Sequence, residues 1–151
     1  MIVCAAAQST WPAWLRVEGQ VPDLTLAAVI CLGLSTGATT GVTAGFLSAF
    51  LWGAVSSATL GQLFLSHMGL GFLAGSLRGR VFSDRVSIAV LLVGVGVVVA
   101  ALTELLLAPP PGPQRWFVQM LVRAVYSAVA AVPVYLLLRG LARFYPERGK
   151  R

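Results

Sequence analysis

From residue 24 to residue 77 the chain carries no Asp, Glu, Lys or Arg. Soluble domains are ordinarily about 25% charged, so an uncharged run of this length is foreign to them. A membrane-crossing helix needs about 20 mainly apolar residues for roughly 30 Å of hydrocarbon. The run is long enough for more than two crossings, and further apolar runs follow at 86–107 and 116–138. The whole chain has 151 residues, 58% hydrophobic and 11% charged, with a mean hydropathy of +0.86. A soluble core could not hide so much apolar surface in so small a chain. The sequence therefore predicts an all-α integral membrane protein, a single polytopic bundle.

The uncharged run must be divided, because one helix over it would be roughly 80 Å long at 1.5 Å per residue. Breaks are expected at "STGATT" (35–40) and "SSATLG" (56–61). They leave segments near 24–36, 38–56 and 60–77, followed by 86–107 and 116–138. The short 24–36 segment must tilt little, lie deep among its neighbours or thin the bilayer. A first apolar stretch, 1–14, is broken by Gln8, Ser9 and Pro12 and has no basic leader, unlike a cleaved secretory signal. It either lies partly in the interface or belongs to a helix that starts upstream. "APPPGPQR" (108–115) reads as a stiff loop, since its four prolines cannot continue a helix.

Charge sets the orientation. Arg78, Arg80 and Arg85 form a basic loop, and Arg139, Arg143, Arg148, Lys150 and Arg151 a basic tail over 139–151. Two spans separate them, so the positive-inside rule can hold for both. Six segments with both termini in the cytoplasm follow. Trp11, Trp14 and Trp116 then fall at the outer interface and Phe82, Phe144 and Tyr145 at the inner one, where aromatic residues concentrate.

Small residues recur at every fourth position: Gly33, Gly37, Gly41, Gly45, Ala49, Gly53, Ser57 and Gly61. Gly71, Gly75 and Gly79 repeat the interval. In lipid, helices associate by close packing, and small residues let backbones approach. A four-residue repeat drifts about 40° per step around a helix, so the full series cannot be one face, and Gly37 is assigned to a turn. Gly41, Gly45, Ala49 and Gly53, with Gly71 and Gly75, are thus candidates for helix packing. The contacts are either internal, a groove for a partner, or a substrate cavity where backbone is exposed.

Glu104 and Arg123 are the ionisable residues inside spans and are expected to pair at similar depth, since each alone is costly there. His67, with Gln62 and Ser66 nearby, reads as an interior hydrogen-bonded residue or one wall of a polar pocket. Cys4 and Cys31 read as small buried hydrophobes. No cofactor or metal is expected: the sequence holds no nucleophile–base pair, phosphate loop, dinucleotide fingerprint or metal-ligand spacing. Enzymatic activity has no support. Attraction to anionic lipid heads accounts for the basic tail, and no nucleic-acid partner is expected.

Four stretches carry a resemblance: "AQSTWPAWLRVEGQVPDLTLAAVICLGLSTG" (7–37), "GVTAGFLSAFLWG" (41–53), "LGQLFLSHMGLGFLAG" (60–75) and "AVYSAVAAVPVYLLLRGLAR" (124–143). Their order resembles the rod shape-determining protein MreD family. That family shows a Gln-Ser/Thr turn, a Pro-Asp pair opening the second helix, a Gly-Phe helix and an aromatic-Leu-Ala-Gly ending. Gln8, Pro22, Asp23, Gly45, Phe46, Leu60, Gly61, Phe72, Leu73, Ala74, Gly75, Tyr126 and Pro133 match it. The chain departs from the family at Gly53, where an Asp is common, and at Ser127, where an Asn is.

The resemblance implies a non-enzymatic scaffold of the cell-elongation complex in the bacterial inner membrane, supporting cell shape and lateral peptidoglycan synthesis. Its implied partners are MreC, the MreB filament and the peptidoglycan glycosyltransferase and transpeptidase. Small-residue faces would dock single-span partners, and the basic ends would meet the filament. The alternative is the substrate-binding membrane subunit of an energy-coupling-factor vitamin transporter. That reading needs polar and aromatic groups converging on an outward pocket, for which Trp52, Gln62, His67 and Trp116 are the candidates.

Overall fold

The computed structural model describes residues 2–54, 60–79, 86–107 and 112–144, with the backbone alone for Pro113 and 141–144. The described residues form six helices and no sheet. They are α1 (Ile2–Ser9), α2 (Leu24–Thr36), α3 (Ala38–Gly53), α4 (Leu60–Ser76), α5 (Val86–Leu107) and α6 (Pro113–Phe144), with a single 3-10 turn at Ala13–Leu15. Arg80, Arg85, the prolines at 109–111, most of the 56–61 break and the tail beyond 144 lie outside the described residues. Among the described residues two helices are long and apolar enough to cross a membrane: α5, and α6 over Gln114–Gly140.

The axis of the bundle is α2. Nearly all of 24–34 is buried, and α2 touches each of the other helices. Of the options left by its short length, the structure takes the deep position among neighbours. A helix this evenly apolar has no face suited to water and is covered on all sides.

The break between α2 and α3 is sharper than the six residues expected. Gly37 alone ends one helix and starts the next, at φ 112° and ψ 179°, a region open essentially to glycine. The guanidinium of Arg78 bonds the Thr36 carbonyl at this corner. Arg78, expected in a basic cytoplasmic loop, therefore also caps a helix end.

The two chain ends stand differently against expectation: the first stretch is short, as expected, while the last helix is longer. The stretch 1–14 contains a helix of only eight residues, about 12 Å long, and α1 alone does not cross a bilayer. Ser9 and Thr10 turn their hydroxyls back onto the Ala6 carbonyl, and Pro12 follows. At the other end α6 begins at Pro113, inside the expected loop, because a proline in a first helical turn gives up only an amide that would be unpaired anyway. It then runs 32 residues through Pro133 to Phe144. Arg139 and Arg143 thus stand on helix and not in a separate tail; the side chain of Arg143 lies outside the described residues.

The glycines meet each other. A Cβ on Gly41 or Gly71 would strike the other's backbone carbonyl, and one on Gly75 would strike Gly37 and Ala38. A Cβ on Gly45 would lie 2.5 Å from the His67 carbonyl oxygen, and one on Gly33 2.8 Å from that of Gly71. Helices α2, α3 and α4 therefore touch backbone to backbone. Ala49 is fully buried, and Gly53 lies against the Leu60 side chain. These faces are filled from within the bundle. A partner helix could reach them only by prising α3 from α4, so a partner groove along this stripe is incompatible with the fold.

Candidate functional site

The polar residues gather at one end, where α2, α4 and α6 start and α1, α3 and α5 finish. Its centre is Asp23, the N-cap of α2. One carboxylate oxygen accepts from the Leu26 amide and the Thr25 hydroxyl, each at 3.0 Å. The other accepts from the Arg123 guanidinium at 2.8 Å. The Asp23 amide donates to Ser127 Oγ at 2.8 Å, and the Thr25 amide to Gln8 Oε1 at 3.2 Å. The Leu24 and Ala27 amides donate to the carbonyls of Pro22 and Asp23. The donors that a helix start leaves open are thus met by residues from α1, α6 and the turn before α2.

Asp23 is 1% exposed. Burial by itself would push its carboxyl up, but Arg123 beside it and the Leu26 amide outweigh that, leaving it below the usual carboxylate range. Glu104 also approaches Arg123, at 3.6 Å and with 43% of its side chain exposed. The expected Glu104–Arg123 contact is therefore the longer, wetter arm of a three-residue cluster. Asp23 holds the dominant position because the loop before α2 folds down to the depth of Arg123. That loop is fastened to α6: the Tyr126 hydroxyl donates to the Leu15 carbonyl at 2.8 Å, and Trp11 packs edge-on to the Tyr126 ring at 6.1 Å.

Beside the cluster lies a cavity of about 430 Å³. Its walls include Asp23, Arg123 and Glu104, the Gln8, Gln20 and Gln62 amides, Ser66, His67 and Trp52. Trp52, Gln62 and His67, candidates for an outward pocket, come together here; Trp116 is not among the lining residues. His67 is 2% exposed, and its Nδ1 lies 3.0 Å from the Leu63 carbonyl. Sequence reasoning missed Gln20 and Arg16 as cavity residues, and it placed Asp23 at the opening of the second helix only through the resemblance, without naming it as the partner of Arg123. The available signal was an Asp directly before an apolar run, the usual mark of a helix start.

Among the described residues no group of His, Cys, Asp or Glu could hold a metal ion. Cys31 is buried and Cys4 partly so, both as free thiols. The fold and site define an all-helical bundle with a polar cavity at one end. No family model, curated protein or solved structure matches this chain.

Proposed function

We propose that the chain is a non-enzymatic, multi-pass scaffold of the bacterial cell-elongation machinery, seated in the inner membrane. One observation carries this reading. The residues behind the resemblance to the MreD family are far apart in sequence, yet many lie at a few structural junctions. Gln8, Asp23 and Tyr126 tie the start of α2 to α1 and α6. Gly45 and Gly75 lie in the backbone contact of α3 with α4 and with the Gly37 corner. Ser127, where the family often has Asn, still receives the Asp23 amide.

The outer surface supports a lipid setting. The apolar windows of α5 and α6 are only 28% and 22% buried within the protein. The core helix of a soluble protein would be mostly covered. Leu91, Val95, Leu102, Phe117, Val125 and Val129 stand exposed on these helices, as lipid or a partner helix requires. A single-span partner such as MreC would meet these outer faces. With Arg78 and Arg139 at the opposite end from the cavity, the positive-inside rule turns the cavity outward and the basic end toward the filament.

Pull-down of the tagged full-length chain in mild detergent tests the scaffold. MreC and the peptidoglycan synthases should co-purify, and depletion should round the cells. Recovery of none of them, with rod shape kept on depletion, overturns the reading and leaves the transporter subunit.

A further inference from the structure

The scaffold reading makes no use of the cavity, whose volume of about 430 Å³ falls within the usual range for small-molecule sites. Its chemistry narrows the occupant. Arg16 and Arg123 are balanced by Asp23 and Glu104, and the most buried of these charges, Asp23, is locked onto Arg123. The four charges sum to zero, so the walls offer a charged occupant no net counter-charge, and Arg16 lies on the exposed rim, where water screens it. The Gln8 side-chain nitrogen remains a donor and the Ser9 oxygen an acceptor, their other ends being bonded to Thr25 and Ala6, and the Gln20 amide carries both kinds of group, as hydroxyl-rich molecules require. Trp52 adds a flat apolar wall on which a sugar ring or a base can rest.

His67 supplies the second, independent sign. Its Nδ1 lies 3.0 Å from the Leu63 carbonyl, which can only accept, and 3.2 Å from Ser66 Oγ, whose hydrogen goes to the Gln62 carbonyl at 2.9 Å. This hydrogen-bond pattern assigns the ring proton to Nδ1. In the neutral ring Nε2 is then a bare acceptor. It is buried, and among the described residues it has no hydrogen-bond partner. Buried polar atoms are nearly always paired, and this one belongs to a residue of the cavity wall. A hydroxyl hydrogen satisfies it; an anion cannot.

We propose that the cavity binds a net-neutral, polyhydroxylated molecule of monosaccharide to nucleoside size, free or as a lipid head group, with His67 Nε2 accepting from one of its hydroxyls. This inference stands apart from the scaffold reading. The full chain in phosphatidylglycerol nanodiscs is titrated with glucose, myo-inositol and uridine, and with glucose 6-phosphate and uridine monophosphate as charged counterparts. Unfolding temperature and tryptophan fluorescence are the readouts.

At least one neutral probe should raise the unfolding temperature saturably, as a ligand of the folded state must, and bind about tenfold more tightly than the phosphates. His67→Leu should weaken that probe about tenfold without lowering the unfolding temperature of the empty protein. Trp52→Ala, on the half-buried wall, gives a second reading if His67→Leu fails to fold. A glucosyl diacylglycerol added to the nanodisc separates the sources: weakened glucose binding assigns the site to lipid-borne sugar, unchanged binding to free molecules. Silence from all three neutral probes, phosphates that bind as tightly, or full binding in both variants overturns the proposal.

Discussion

Two regions of this bundle hold together in opposite ways. Where α2, α3 and α4 cross, the contact is made of absent side chains: Gly33, Gly41, Gly45, Gly71 and Gly75 bring backbone against backbone. At the cavity end every contact needs a side chain: Arg123 reaches the Asp23 carboxylate, and Ser127 and Gln8 reach the Asp23 and Thr25 amides from other helices. The first tolerates no added atom. The second tolerates no lost partner. Shape fixes how closely the helices lie, and the polar cluster fixes which helix ends meet.

The largest effect expected is at the glycine contact. Gly71→Leu should abolish the folded state, because the added atoms meet the Gly41 backbone, which cannot move aside as a side chain could. Gly69→Leu on the same helix has nothing within 4 Å of the new Cβ and should fold normally. Size-exclusion profiles of the two variants in detergent check this. Equal behaviour would mean that the tight approach of α3 and α4 is not what holds the bundle.

Next comes the polar end. Asp23→Ala removes the cap of α2 and strands Arg123. A broken buried pair costs about 3–5 kcal/mol, and the 28% exposure of Arg123 places this one near the lower end. Glu104→Gln touches only the exposed arm and should cost less than about 1 kcal/mol. Denaturant titration in mixed micelles separates the two. A larger loss at Glu104 would reverse the ranking of the cluster.

Gly37→Ala lies between those values. Its φ of 112° is forced on a residue with a Cβ, at about 1–3 kcal/mol, and the unfolding temperature should fall accordingly.

The smallest effect is that of acid. The carboxyl of Asp23 titrates lower in the folded chain than in the unfolded one. Its stabilisation is therefore complete above the unfolded value of about 3.9 and is lost as pH falls from there through the folded value. Unfolding temperature should decline below about pH 4, and Asp23→Asn should flatten this specific part of the acid limb.

Much of the architecture can be read from the residues in order. The uncharged run, the proline-rich turn and the apolar stretches place α2, α4 and α5 within a residue or so of the observed helices, because helix length and hydrophobicity are local properties. Gly37 announces the corner for the same reason. The helix ends are read less well. Pro113 looks like a loop residue until it is seen to open α6, and Arg139 looks like a tail residue until the helix runs past it. The cavity is legible only in fragments: Trp52, Gln62 and His67 are visible as polar or aromatic residues among apolar ones, but nothing along the chain joins them to Gln8, Gln20 or Arg16.

The sequence by itself determined that this chain is helical, that long stretches of it are suited to lipid, and that small residues recur at helical spacing. All of these follow from composition and periodicity, which act between near neighbours. Only the tertiary structure decided that the small residues face one another within the bundle, and that Asp23 rather than Glu104 is the close partner of Arg123. Those outcomes depend on which helix faces meet and at what depth, and such contacts join residues about 100 positions apart.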